Sequence, residues 1–144
     1  MVLRRGFLVL STAWALAIPL AAFAASRVGT SSVAYAFAFG VYVVGHFVCH
    51  QLPARSFHLW MTPFPVCARC TGIYVAAAVT AIVLRGQFVT TRSNPKLVVL
   101  AALVPTAATL IFEWTTGVMP SHWVRAAAGA PLGVAVAWAI GMVN

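Results

Sequence analysis

Five apolar stretches, separated by short polar or proline-marked breaks, set the plan of this chain. The first runs from about Gly6 to Ala25 and is broken only by Pro19. The second, from about Ser32 to His50, is rich in aromatic residues. The third begins near Cys70 and ends before Arg85, the fourth covers about Leu97 to Trp114, and the fifth about Trp123 to Val143. Each approaches the roughly 20 residues a helix needs to cross the hydrocarbon core of a bilayer. In lipid a helix also satisfies its own backbone hydrogen bonds. The pattern predicts an all-α fold, a polytopic membrane bundle of about five transmembrane helices, forming one integral membrane domain over residues 1–144. Gly129, Gly133 and Gly141 give the last stretch a small-residue surface suited to close helix packing.

The breaks differ in kind. Arg85 to Lys96 is polar, contains Asn94-Pro95 and reads as a simple solvent loop. Gln51 to Val66 is longer and carries Pro53, Pro63 and Pro65 among Phe57, Trp60 and Phe64. Its prolines preclude a continuous helix, and its aromatics predict a proline-rich loop packed at the membrane interface. The first stretch, with Arg4-Arg5 before it and Ala22-Phe23-Ala24 near its end, also imitates a secretory signal. It is read here as a retained helix.

Composition agrees with the membrane reading: 62% of residues are hydrophobic, 7% are charged, and the mean hydropathy is +0.97. Soluble domains carry roughly a quarter charged residues. The net charge of +8 does not indicate nucleic-acid binding, because the nine Lys and Arg are scattered among segment ends, with no basic stripe interleaved with aromatics. Basic residues at such positions snorkel to headgroups and set orientation, so the expected partner is the lipid bilayer.

Candidate chemistry concentrates in two tight pairs, Cys49-His50 and Cys67-Ala68-Arg69-Cys70. Thiolates and imidazole at this spacing suit a tetrahedral metal site. Cys49, Cys67 and Cys70 are the expected ligands, with His50 as the fourth and His46, one turn deeper in the helix, as the alternative. Mixed sulfur and nitrogen ligation favours zinc. The same Cys67-x-x-Cys70 pair also suits a membrane thiol-disulfide oxidoreductase with Cys49 as relay, Arg69 lowering a thiol pKa between the sulfurs. A metal carrier or a cofactor-binding subunit is a further reading, since a histidine near a helix end can ligate haem or a chlorin.

If helix direction alternates strictly, the ends of the second and fourth stretches and the starts of the third and fifth share one face. Cys49, His50, Arg55, Cys67, Arg69, Cys70, Glu113, His122 and Arg125 then converge there. Glu113, the only carboxylate, is expected to pair with Arg55 or Arg125, or to support a metal-bound histidine. Arg55, Arg69, Glu113 and Arg125 are therefore the expected supporting residues. With Arg4-Arg5 inside, this alternation leans the cysteine face toward the cytoplasm, by five basic residues against four.

Cys49-His50-Gln51, Arg55 and Cys67-Ala68-Arg69-Cys70-Thr71-Gly72-Ile73-Tyr74 together resemble the signature of domain of unknown function family 2085, small prokaryotic membrane proteins. Glu113 stands where that family carries an acidic residue, while the family's Asp-Gly-x-x-Gln element is not intact here. His122, Arg125 and Gly129 surround a later family motif. The resemblance implies that Cys49, His50, Cys67, Arg69 and Cys70 form one site in a prokaryotic inner membrane, and it implies no reaction. The resulting expectation is a structural zinc site at one membrane boundary, in an accessory subunit of a larger membrane complex rather than an enzyme.

Overall fold

The computed structural model describes residues 2–27, 29, 31–86 and 93–142. Among them are five α-helices: α1 (Val2–Ser26), α2 (Ser32–Val48), α3 (Ala68–Val83), α4 (Pro95–Thr116) and α5 (His122–Met142). The all-α expectation holds, and each predicted stretch corresponds to one helix. Residues 87–92 of the Arg85–Lys96 connection and Val143 lie outside the described residues. The helices α1, α4 and α5 are long and apolar enough to cross a membrane, with 25, 22 and 21 residues; α2 and α3, at 17 and 16 residues, are shorter.

Helix boundaries follow from local chemistry. Ser31 caps α2, its hydroxyl accepting the Ala34 N–H at 3.4 Å. Asn94 caps α4 through Lys96 N–H at 3.0 Å, with Pro95 as the first helical residue. Gly117, at φ 69°, closes α4 in the left-handed conformation that favours glycine.

Two glycines of α5 and one of α3 let these helices touch backbone to backbone. A Cβ at Gly72 would overlap the Ala126 carbonyl, one at Gly129 the Arg69 carbonyl, and one at Gly133 the Ile73 carbonyl. Residue pairs 69–129 and 73–133 show that α3 and α5 run parallel. The opposite side of α3 receives α1 in antiparallel sense. The Arg4 guanidinium donates to the Leu84 carbonyl at one end, Trp14 meets Tyr74 edge-on at 6.0 Å, and Ile18 packs in the cluster that includes Cys67 and Cys70. Helix α4 runs antiparallel to α5, with the Thr106 hydroxyl donating to the Ala128 carbonyl at 2.9 Å.

Helix α2 departs from strict alternation. It packs through Ala38 and Val41 on Ala21 of α1, and its end, at Cys49, lies beside Ile18 and Val66. The start of α3 is therefore near the end of α1, while Arg4 is at the far end of α3. Strict alternation puts Arg4 and Arg5 on the cysteine face; the structure puts Arg4 on the opposite one. The reason is that α2 lies against the last turns of α1 instead of crossing the bundle, so both its ends stay near the end of α1, and the descending, proline-rich loop between Cys49 and Cys67 folds back onto α1 as well. Within it a 3-10 turn at Pro53–Arg55 precedes a small antiparallel hairpin, β1 (His58–Leu59) and β2 (Thr62–Pro63). Trp60 and Met61, at φ 47° and 65°, form the hairpin's tip, a geometry that two-residue hairpins adopt to match strand twist. The Trp60 ring lies 5.0 Å from Phe23, so the tip seals the end of α1.

Little of the chain is buried inside the bundle, as expected where lipid is the solvent. Large apolar side chains such as Leu10, Phe39 and Val104 point outward. In α4, among its described residues, the one buried side chain is the charged Glu113.

Candidate metal centre

Cys67 is the N-cap of α3, and Cys70 lies in its first turn. This places both cysteines at the helix N-terminus, whose first N–H groups lack partners within the helix. Cys49 follows α2 in an extended conformation (φ −154°, ψ 148°), which turns its side chain back toward α3. The three sulfurs lie within 4.8 Å of one another. A tetrahedral zinc with bonds of about 2.3 Å needs sulfurs about 3.8 Å apart, so closure onto an ion requires about 1 Å of side-chain movement at most. The Cys67 N–H already donates to the Cys49 sulfur at 3.2 Å. Hydrogen bonds from the Cys67 and Cys70 thiols, helped by the Cys67 and Gln51 backbone, hold the Cys49 thiol well below the ordinary range against the opposing effect of burial.

The approach of Cys49 to Cys67 is fixed by neighbours whose role the sequence reading left unassigned. Gln51, at φ 48°, reaches back so that its amide donates to the Tyr42 carbonyl at 2.6 Å and the Pro65 carbonyl at 2.8 Å. Gly45 lies flush against the same Pro65 carbonyl, where a Cβ would overlap it. The Tyr42 hydroxyl donates to the Pro63 carbonyl. Together these contacts staple the end of α2 to the segment that leads into Cys67. Their only sequence signal is the position of a polar Gln between an apolar helix and a proline-rich loop.

The predicted histidines sit differently. His50 and His46 are both exposed and stand outside the group of three sulfurs. His50 does line the cavity of about 420 Å³ that opens beside Cys49, Cys67 and Cys70; His46 does not. His122 begins α5 with its ring 5.7 Å from Phe57 and its Nε2 buried without a hydrogen-bond partner.

A second cluster adjoins the sulfurs. Glu113 Oε1 accepts from Arg125 Nε at 2.9 Å and from Arg69 Nη2 at 3.2 Å, while Oε2 lies 3.6 Å from Arg55 Nη2. The expected partners Arg55 and Arg125 both pair with Glu113, and Arg69 joins them. Glu113 and Arg125 are almost fully buried, at 6% and 3% exposure. Arg69 also donates to the Thr109 hydroxyl at 3.1 Å. Thr109 lies one turn before Glu113 in an apolar helix, a faint signal that sequence reasoning passed over. Because Arg69 stands between Cys67 and Cys70, the ion-pair cluster and the thiol cluster share one helix turn. Convergence of the cysteines, His50 and the three arginines on a single cavity is thus observed.

Comparison with known proteins places these residues in a wider set. An uncharacterized protein of Methanocaldococcus jannaschii is 44% identical over 43 residues, covering 30% of this chain and 28% of that relative. An uncharacterized protein of Methanothermobacter thermautotrophicus is 52% identical over 31 residues, covering 22% of this chain and 28% of the relative. The chain thus spans less than a third of the length of these relatives. No solved structure matches. The profile of a family described as predicted membrane proteins, DUF2085, matches residues 49–139, from the first cysteine to near the end of α5. With its cysteines, its arginine cluster and α3 to α5 inside that match, the chain belongs to the DUF2085 family of predicted membrane proteins.

Proposed function

We propose that Cys49, Cys67 and Cys70 bind one zinc ion, with His50 as the fourth ligand, and that the ion ties α2 to α3 across the proline-rich loop. The observation that carries this reading is the grouping of three sulfurs within 4.8 Å at a helix N-terminus, with a backbone N–H already donating to one of them. His50 is preferred to His46 because it borders the same cavity as the cysteines. A zinc with four protein ligands holds structure rather than activating water. In that role the protein is a structural or accessory component of a membrane assembly, and the exposed apolar faces of α2 and α4 supply the surface for lipid or a neighbouring helix.

The orientation proposed here places the cysteine face on the exoplasmic side. Arg4, Arg5, Arg85 and Lys96 belong to the opposite end of the bundle, whereas on the cysteine face Arg55, Arg69 and Arg125 are engaged with Glu113 and Arg27 stacks on Phe23. The basic residues that act as topology signals therefore favour a cytoplasmic amino-terminal end.

The test is metal content and free-thiol count of the detergent-purified protein and its Cys49→Ser and Cys67→Ser variants. The reading predicts about one zinc per chain, lost in both variants. Absence of metal, with two thiols appearing only after reduction, would replace it with thiol-disulfide exchange between Cys67 and Cys70 and Cys49 as relay. Rapid exchange of the bound ion would instead favour a metal carrier.

A further inference from the structure

We propose that the cavity beside the cysteines is a binding site for the phosphate group of an anionic amphiphile, held by Arg55, Arg69 and Arg125. All three arginines line the cavity. Three guanidinium charges face one carboxylate, Glu113, an excess of two positive charges. A divalent ion on three thiolates would contribute one negative charge, which still leaves one positive charge unbalanced. The hydrogen bonding of the cluster is incomplete as well. Arg125 is 3% exposed, yet its Nη2 has no hydrogen-bond partner, and neither do Arg69 Nε and, on the acceptor side, Glu113 Oε2. A buried donor without an acceptor carries its full desolvation cost. An oxyanion is the ligand that offsets the excess positive charge, because guanidinium groups bind phosphate through paired N–H bonds.

The remaining walls say what carries the phosphate. Val48, Leu52, Leu110 and Trp114 complete the lining, and Trp114 is itself largely exposed on the outer surface of α4. Charged groups on one part of the wall and aliphatic or aromatic side chains on the rest fit a phosphate joined to an apolar body. Arg55, half-exposed and only 3.6 Å from Glu113 Oε2, is placed to turn from the carboxylate toward an entering anion. A phospholipid headgroup and free inorganic phosphate share the recognised chemistry. The apolar walls favour the lipid.

The experiment uses full-length protein in a phosphate-free sugar detergent at constant ionic strength. Inorganic phosphate, phosphatidylglycerol and, as a phosphate-free control, diacylglycerol are titrated while thermal unfolding is followed. A ligand that binds the folded state alone raises the unfolding midpoint saturably. Phosphatidylglycerol is expected to act at concentrations at least about tenfold lower than inorganic phosphate, and diacylglycerol to have no saturable effect. In Arg55→Gln both phosphate-bearing probes should weaken about tenfold, the loss expected for one charge-assisted contact. Equal potency of inorganic phosphate and lipid would support the arginine site with free phosphate as its source. No saturable shift with either, an equal shift with diacylglycerol, or an unchanged response in Arg55→Gln would overturn the proposal. Arg55 is the chosen variant because its ion pair is the longest and most exposed of the three, and zinc measured in the same samples keeps this result separate from the fate of the metal reading.

Discussion

Replacing Glu113 with glutamine tests whether the arginine cluster holds the bundle together. The substitution preserves shape but removes the only carboxylate in the chain. Arg125, with 3% of its side chain exposed, then loses the counter-charge at 2.9 Å. Breaking a buried ion pair by removing one partner costs about 3–5 kcal/mol, because the remaining charge stays desolvated. Arg69 is 14% exposed and keeps its bond to Thr109, so its loss adds about 1 kcal/mol. Arg55, 37% exposed and 3.6 Å away, adds less than about 1 kcal/mol through a solvent-screened interaction. The glutamine carbonyl can still accept one of the former bonds, which moves the expected total to about 3 kcal/mol. Equilibrium unfolding in mixed micelles, driven by an anionic detergent, reads this difference. A cycle with Arg125→Met isolates the pair: the double variant should lose at least about 1 kcal/mol less than the sum of the single variants. A Glu113→Gln protein within about 0.5 kcal/mol of the parent, with additive behaviour in the cycle, would refute the claim that this cluster locks α3, α4 and α5.

Three further expectations follow from the packing and the site. Gly72→Ala should destabilise by about 1–3 kcal/mol, because its Cβ meets the Ala126 backbone, while Gly40→Ala, with open space around it, should be neutral or stabilising by up to about 1 kcal/mol in the same unfolding assay. Cysteine introduced for Met61, 94% exposed at the hairpin tip, should react with a membrane-impermeant maleimide on intact cells. Lys96→Cys should react only after permeabilisation, and the reverse pattern would invert the proposed orientation. Acidification below about pH 5 should release zinc, because proton binding competes with the ion for thiolate and imidazole ligands, and the metal-to-protein ratio after gel filtration follows the loss.

The helices were legible because a bilayer demands long apolar segments, and all five predicted stretches fall on α1 to α5. Glu113 was legible for the complementary reason: a lone carboxylate in an apolar helix requires a partner, and it has three. The cysteine pair at Cys67 and Cys70 was legible from spacing. The course of α2 was not. Its hydrophobicity resembles that of a crossing helix, but its small residues Ala38 and Gly45 and the Gln51 staple fold it against α1 and the descending loop. Those contacts join residues distant in sequence and leave no periodic trace. The hairpin escaped for a similar reason: Trp60-Met61 lacks the Asn-Gly or Asp-Gly signal that marks such turns, and packing on Phe23 supplies what local propensity does not.

Cobalt substitution reports ligand type and geometry together, and so tests the metal centre most directly. Metal-free protein titrated with Co(II) under reducing conditions should bind about one equivalent and develop intense tetrahedral d–d bands with a thiolate charge-transfer band. The charge-transfer intensity should fall stepwise in Cys49→Ser, Cys67→Ser and Cys70→Ser, while His50→Ala should shift the d–d bands and leave the thiolate band in place. Fully reduced protein that gives only the weak spectrum of octahedral, oxygen-ligated cobalt would contradict a Cys49, Cys67 and Cys70 metal centre.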